Sequence, residues 1–409
     1  MTALPGPGGP ATPHSTDELG RGQSAAARPR GRLLALALAL LVIYVSGGIF
    51  VGLLGLTRLL HVVAATVATT APDPSAERPA SLGTDLHTVV DSFRPRPAPP
   101  RAAPAAWFLY AAGGDLWETN GVETYQLTDD GQLTQPALAD DLLVWVKRAR
   151  NASDLWAAGP AMLPHPLTHN AAAIVAANHW VAQPTLLPDG SGLYMLADLN
   201  KEAAGVGDLA IWQLDLPDGH VRQITHPQPY TGGDQDIAVD PQEPNTLVFT
   251  RYRYTDSGDL VEGLARLRVD AQQAVPLTAA EHPARQASVA PDGVTLAFVQ
   301  TDGREENLYV GRIATTDAPR LTDLQQVATG TIAQPAWSPD GTQLAYLALT
   351  DRRFQLWVRS LTEGDDGAFV LGPPRQITRG DGLDATARPV WITNSAAAEV
   401  RQWLQAVRS

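Results

Sequence analysis

The segment Gln334-Pro-Ala-Trp-Ser-Pro-Asp-Gly341, followed by the apolar run Gln343–Leu349, decides the fold. In the Pro-Asp-Gly triplet, proline presets φ and glycine supplies a positive φ, so the triplet predicts a tight turn between two β-strands. The same triplet recurs at 188–190 and 291–293. Two more strand-like runs follow the last triplet, at 354–361 and 375–378. The unit therefore contains four predicted strands.

A second signal shows how often this unit is repeated. An apolar residue followed by threonine recurs six times, ending at Thr128, Thr168, Thr225, Thr278, Thr322 and Thr378. The intervals are the size of a four-stranded propeller blade. A related signature, Asp-Leu-Trp or a close variant, marks the third strand at 115–117, 154–156, 307–309 and 355–357. These patterns predict an all-β fold, a six-bladed β-propeller of four-stranded blades, over residues 106–392.

The two ends of the repeat region are complementary. The first repeat begins at Trp107–Tyr110, which is a second strand with no inner strand before it. The last repeat is followed by Arg388–Ile392, which reads as an inner strand with nothing after it. The C-terminal strand is therefore predicted to close blade one, which removes the exposed edges of an open sheet. Residues 393–409 are predicted to form a C-terminal helix and tail.

The repeat containing Pro335-Ala-Trp-Ser-Pro-Asp-Gly341 resembles the TolB-like propeller family, over about residues 106–392. The resemblance implies a bacterial protein that contacts partner proteins in the cell envelope. Its motifs specify blade turns and packing, so they predict a fold and no reaction.

Aligning the inner strands gives one candidate site. The residue that opens each strand is polar, and together these residues are predicted to ring one level of the central channel: Gln135, Gln183, Gln235, Gln286, Gln334 and Arg388. Glutamine offers a donor and an acceptor, and arginine suits a carboxylate, so the ring could bind a polar ligand or a peptide end. The alternative is that each glutamine bonds the backbone of the adjacent blade.

Composition excludes several kinds of site. The chain has no cysteine, which excludes disulfides and thiol chemistry. Its net charge of −13 argues against nucleic-acid binding, which needs basic surface. No GxSxG, HExxH or phosphate-loop motif is present, and the sequence indicates neither a cofactor nor a metal site.

The N-terminal quarter differs from the repeats. Residues 1–32 are rich in Pro, Gly, Ala and Arg and are predicted to be a disordered cytoplasmic segment. Residues 33–56 contain no charge and are long enough to cross a bilayer, so they are predicted to be a transmembrane helix; a cleaved signal peptide is the alternative. Arginines precede this run, which predicts a cytoplasmic N-terminus and an extracytoplasmic propeller. Residues 57–105 are a Pro/Ala-rich tether.

These features together favour a membrane-anchored scaffold that binds an envelope protein or peptide. Two alternatives are open: a propeller hydrolase or lyase that uses residues at the channel mouth, and a sensor that signals through the single helix. The oligomeric state is not indicated by the sequence.

Overall fold

The computed structural model describes residues 106–405, apart from 161, 202–207, 217, 272, 315–318 and 381. The predicted cytoplasmic segment, transmembrane helix and tether (1–32, 33–56 and 57–105) lie outside these residues. Within the described part of the chain, no helix has the length and apolar character needed to cross a membrane.

The described residues form six antiparallel sheets arranged as successive blades, which confirms the predicted six-bladed propeller. Blade one contains β1 (Trp107–Ala112), β2 (Asp115–Thr119) and β3 (Thr124–Gln126). Blade two contains β4 (Leu133–Ala139), β5 (Leu142–Arg148), β6 (Ser153–Gly159) and β7 (Met162–Pro166). Blade three contains β8 (Val181–Leu186), β9 (Gly192–Ala197), β10 (Ala210–Asp215) and β11 (Val221–Gln223). A 3-10 turn, Val175–Ala177, lies in the connection between blades two and three.

The remaining strands continue this order. Blade four contains β12 (Asp234–Val239), β13 (Thr246–Tyr254), β14 (Leu260–Arg268) and β15 (Val275–Pro276). Blade five contains β16 (Ala284–Val289), β17 (Thr295–Asp302), β18 (Glu305–Ile313) and β19 (Leu321–Ala328). Blade six contains β20 (Ile332–Trp337), β21 (Gln343–Thr350), β22 (Arg353–Glu363), β23 (Phe369–Leu371) and β24 (Arg375–Gln376). Strand β25 (Val390–Ile392) and helix α1 (Asn394–Gln405) end the described chain.

The C-terminal strand closes the ring as predicted. Strand β25 is the inner strand of blade one and pairs antiparallel with β1, with Trp107 opposite Ile392. The rings of Phe108 and Trp391 pack with centroids 4.4 Å apart. The Trp391 indole N–H donates to the carbonyl of Ala336 in blade six, 2.9 Å away. The closing strand is therefore bonded both within its blade and to its neighbour.

Apolar packing between blades holds the ring together. Each buried cluster found among the described residues joins two adjacent blades, and together the clusters cover every neighbouring pair. The cluster between blades one and two also contains Ala397, Val400, Trp403 and Leu404 of helix α1. Because alternate side chains of a strand point to opposite faces of the sheet, each central strand contributes to two of these clusters.

The threonine and Asp-Leu-Trp signatures form one hydrogen-bonded unit. In blade two, the Leu155 N–H donates to the Thr168 hydroxyl (2.9 Å), and that hydroxyl donates to the Asp154 carboxylate (3.0 Å). Blade one repeats the arrangement with Leu116, Thr128 and Asp115. The hydroxyl thereby fastens the end of the outer strand to the third strand.

Blade five departs from the predicted register. Thr322 lies near the start of β19, where it pairs with Arg312, and its hydroxyl donates to the Arg312 carbonyl. Ala328 instead pairs with Leu308, which is the blade-five equivalent of Leu155. The adjacent Val327 is buried, and it takes the position of the apolar residue that precedes threonine in the other blades. The prediction that Leu321-Thr322 continues the repeat is therefore wrong, because β19 is longer than the other outer strands and carries no threonine at the equivalent point.

Candidate functional site

A β-bulge interrupts the inner strand of each complete blade at the same level. In blade two the register shifts between Thr134 and Ala137, and Gln135 in the bulge adopts a left-handed backbone with φ of 49°. The equivalent left-handed residues are Gln183 (49°), Asp236 (56°), Gln286 (56°) and Gln334 (50°). Left-handed backbone is uncommon for residues other than glycine. Its recurrence at one level shows that this conformation is built into blades two to six.

In blade four the structure places Asp236, and not Gln235, at this level. Gln235 pairs with Thr250 in the regular ladder, one residue before the bulge. A shift of one residue in a strand turns a side chain to the opposite face. The prediction of Gln235 as a member of the ring is therefore corrected to Asp236, a residue type that tolerates left-handed backbone.

The glutamines of this ring bond one blade to the next. The backbone N–H of three bulge residues donates to the side-chain oxygen of the bulge residue in the preceding blade: Gln183 to Gln135 (2.9 Å), Asp236 to Gln183 (2.6 Å) and Gln334 to Gln286 (3.0 Å). The side-chain amide of Gln183 also donates to the Asp236 carboxylate at 3.1 Å. These contacts are the inter-blade bonds that stood as the alternative to ligand binding.

We call this chain of inter-blade hydrogen bonds the relay. In blade four the relay continues through a threonine, because the aspartate side chain is too short to reach the next blade. The Thr250 hydroxyl donates to the Asp236 carboxylate at 2.9 Å and accepts the Gln286 backbone N–H at 3.0 Å. At the other end, the Gln135 amide donates to the Thr386 carbonyl at 3.0 Å. The relay therefore runs through consecutive blades from the closing segment to Gln334.

Arg388 does not complete this relay but crosses the channel. It belongs to the closing segment of blade one, and its guanidinium donates to the carbonyls of Ile237 in blade four (3.3 Å) and Ala287 in blade five (2.7 Å). Burial lowers the pKa of Arg388, and the nearby Asp236 carboxylate partly opposes that shift. The Arg388 Nε is buried and has no hydrogen-bond partner among the described residues.

Gln334 is a glutamine of the ring whose whole side-chain amide makes no hydrogen bond within the described part of the chain. The residue is 3% exposed, but its amide atoms are not among the fully buried polar atoms without a partner, so they face the channel space. Ligands or water commonly satisfy such groups. This side chain is therefore the ring's best candidate for contact with a ligand.

A cavity of about 510 Å³ lies next to the ring. Its lining begins at the ring, with Gln135, Gln183, Asp236, Gln334 and Arg388, and continues along the inner strands to the turns that follow them. The wall is mainly apolar, formed by Leu138, Leu186, Val289, Trp337, Val390 and Trp391 together with prolines 136, 184, 241, 291, 339 and 389. Because Arg388 bridges opposite blades at one end, the cavity is blind there.

The cavity opens on the side of the propeller that carries the turns between first and second strands. We call this side the turn face; its turns are 140–141, 187–191, 240–245, 290–294 and 338–342. We call the opposite side, with the connections between blades, the loop face. The sequence predicted a polar ring at one level of the central channel, and the structure shows that ring residues form the floor of a cavity that extends toward the turn face.

The structure brings four of the six predicted site residues into the cavity lining. Gln286 belongs to the relay but does not line the cavity, and Gln235 belongs to neither. Sequence reasoning missed the wall residues Leu138, Trp337 and Trp391. Trp337 lies two residues before the Pro-Asp-Gly triplet 339–341, and Leu138 lies two residues before the shortened turn 140–141, which is the signal that could have found them.

Metal binding has no support in the described residues. Within residues 106–405 as described, no group of three or more His, Asp or Glu side chains is close enough to hold a metal ion. The acidic loop residues are engaged locally, as in the 2.6 Å ion pair between Asp130 and Lys147.

The fold and site define a six-bladed β-propeller with a blind channel cavity. Among solved structures, TolB from Acinetobacter baumannii is similar at 16% identity, covering 71% of this chain and 67% of that chain, with a TM-score of 0.52. A putative TolB from Agrobacterium tumefaciens is similar at 13% identity, covering 70% and 96%, with a TM-score of 0.51. These similarities confirm the TolB-like fold. No family model matches the sequence, and no curated protein matches it.

Proposed function

We propose that the chain is a membrane-anchored scaffold of the bacterial cell envelope that binds a protein or peptide in its channel cavity. The TolB-like fold supports the binding role. The uncharged run 33–56, with arginines before it, supports an anchor that leaves the N-terminus in the cytoplasm and the propeller outside.

The observation that carries the proposal is the blind, mainly apolar cavity of about 510 Å³. Its size lies within the range of roughly 300–1,000 Å³ for ligand pockets, and apolar walls with few polar groups are typical of such sites. At its floor, Arg388 and the relay glutamines are already bonded to backbone groups of other blades, so they hold the ring together and are not free to act on a ligand. This arrangement favours holding a ligand over transforming one.

The cavity also restricts what can enter it. A ligand must come from the turn face, because Arg388 reaches across the channel from blade one to the carbonyls of blades four and five at the other end. A chain terminus or a protruding turn of a partner fits this requirement, whereas an extended strand threaded through the channel does not. The unpaired Gln334 amide offers one donor group and one acceptor at the floor.

Photocrosslinking from within the cavity tests the binding role. A photoreactive amino acid replaces Leu138 in the cavity wall, and a matched control carries it at Ile174, which is 71% exposed on the loop face. We expect a defined partner to be captured from position 138 and not from 174. Ala137→Trp, which fills the cavity, should abolish that capture. Equal capture from both positions, or capture unaffected by Ala137→Trp, would contradict the proposal.

The absence of cysteine makes the proposed topology directly testable. Single cysteines at Ala11 and at Ile174 are labelled in intact cells with a maleimide that reaches the extracytoplasmic space but not the cytoplasm. We expect labelling at 174 and none at 11. Labelling at both positions, or at neither, would overturn the proposed orientation, and release of a shortened chain from the membrane would favour the cleaved signal peptide.

A further inference from the structure

We propose that the proline-rich segment 94–104 of this chain occupies the channel cavity in cis and so competes with the partner. The inference rests on the proposed role of the cavity as the binding site and adds its regulation. The segment reads Arg94-Pro-Arg-Pro-Ala-Pro-Pro-Arg-Ala-Ala-Pro104, with five prolines, three arginines and no acidic residue.

The first support is where the chain enters the propeller. Strand β1 begins at Trp107, which pairs with Ile392 at the turn-face end of the closing strand. The neighbouring residues of that strand, Val390 and Trp391, line the cavity. The entry point is therefore one strand spacing, roughly 4.8 Å, from the cavity wall. The segment immediately before it is long enough to reach the cavity, since an extended proline-rich chain covers about 3.1 Å per residue.

The second support is the character of the wall. Six prolines from the inner strands and the turns line it together with Trp337 and Trp391, which lie in the adjacent blades six and one. Proline-rich segments bind to aromatic-lined grooves at low entropic cost, because they are already extended when free. The wall thus has the composition of a surface that recognises such a segment.

The third support is the pattern of unused hydrogen-bonding groups. The Gln334 amide lies at the floor and has no partner among the described residues. Trp337 lines the cavity with its ring, while its unpaired indole N–H is itself fully buried. A proline-rich segment has carbonyl acceptors but few N–H groups that would need partners in an apolar cavity. Its chemistry therefore complements the unpaired Gln334 donor at the floor.

The fourth support is charge. The turns that surround the cavity opening carry the exposed Asp140, Asp141, Asp189, Asp292 and Asp340, and none of these turns contains Lys or Arg. Asp240 in the blade-four turn is buried, with Arg266 3.8 Å away, and does not belong to this rim. Hydroxyl donation from Ser191 lowers the pKa of Asp189, and Ser338 does the same for Asp340, so these carboxylates are ionised at neutral pH. The basic segment would meet an acidic rim, which steers and orients it.

Disulfide trapping in the full chain in detergent tests the proposal, because the chain has no cysteine of its own. Ala98→Cys is combined with Leu138→Cys in the cavity wall, or with Ile174→Cys on the loop face as the matched control. We expect an intramolecular disulfide to form at least tenfold faster in the first pair. Equal rates in the two pairs, or disulfides only between molecules, would overturn the proposal. Ala336→Cys provides a second wall position if Leu138→Cys misfolds.

A glycine variant separates this inference from the proposed function. Replacing Pro97, Pro99 and Pro100 by glycine should slow trapping about tenfold and increase partner capture by a photoreactive residue at 138. The control, Ala102→Gly with Ala103→Gly, should change neither. If no disulfide is trapped but a partner is still captured, the proposal that segment 94–104 occupies the cavity is refuted and the proposed function stands. If the disulfide is trapped but no partner is captured, the cavity occupancy stands and the proposed scaffold role is refuted.

Discussion

The inter-blade relay predicts a specific thermodynamic penalty at Gln183. In Gln183→Ala, the Asp236 N–H loses its acceptor and the Asp236 carboxylate loses a donor, at a position that is 6% exposed. Each hydrogen bond contributes about 1 kcal/mol, and a buried donor left without a partner costs about 1–3 kcal/mol. We therefore expect the free energy of unfolding to fall by about 2–4 kcal/mol.

The left-handed backbone gives this prediction an internal control. Gln183→Gly loses the same hydrogen bonds, but glycine adopts the φ of 49° without a steric penalty. An L-residue in this region costs roughly 1–2 kcal/mol, partly offset by the greater flexibility of glycine when unfolded. The glycine variant should therefore be about 1 kcal/mol more stable than the alanine variant, although it removes more atoms.

Denaturant titration followed by tryptophan fluorescence measures both differences. Gln132→Ala, at an exposed position, is the matched control and should leave the midpoint unchanged. A Gln183→Ala variant within 0.5 kcal/mol of the parent chain (roughly the surface-substitution range) would refute the role of the relay. A glycine variant less stable than the alanine variant would refute the backbone explanation.

Three further predictions concern other parts of the fold. Thr168→Val should lower the free energy of unfolding by about 1–3 kcal/mol, because the buried Leu155 N–H loses its acceptor. Thr322→Val should have little effect, because its hydroxyl bonds only the Arg312 carbonyl and a neighbouring carboxylate. Denaturation of both variants tests the corrected register of blade five. Truncation after residue 385 removes Arg388, β25 and α1 and should lower the melting temperature far more than removal of residues 394–409 alone; equal melting temperatures would contradict closure by β25. Burial raises the pKa of Glu118 from 4.5 to about 7 despite its ion pair with Arg401, so the folded state holds the proton more tightly than the unfolded state. The free energy of unfolding should therefore fall as pH rises from about 4.5 to 7. Glu118→Gln should flatten that pH dependence in melting curves.

The blade count could be predicted from the sequence because it depends on signals that the blades carry individually, and the closure could be predicted because the two ends of the repeat region are complementary. The Pro-Asp-Gly turns need particular residues, and the Thr hydroxyl needs its partner N–H, so these residue types recur. The inner-strand register was also readable where glutamine precedes proline, as at Gln135, Gln183 and Gln334.

Blade four was misread because Gln235 was aligned on residue type alone, and no proline follows it to mark the register. The bulge falls one residue later, where Asp236 adopts the left-handed backbone and Thr250 supplies the missing reach. This pairing brings together residues from two strands, and no local motif encodes it. The blind end of the cavity was unpredictable for a similar reason. It depends on a guanidinium of blade one that contacts carbonyls on the opposite side of the ring.

The pairing of Trp107 with Ile392 also sets the order of events when the protein is made. At roughly 5–20 residues per second, a ribosome needs on the order of 15–60 s to add the residues between these two partners. Throughout that interval the apolar strand WFLYAA has no inner neighbour and presents an open edge. A nascent chain stopped shortly before its end would keep that edge permanently. The cell could thus distinguish finished from unfinished copies by a single exposed strand, and a chaperone or protease that binds strand edges would act on the unfinished ones.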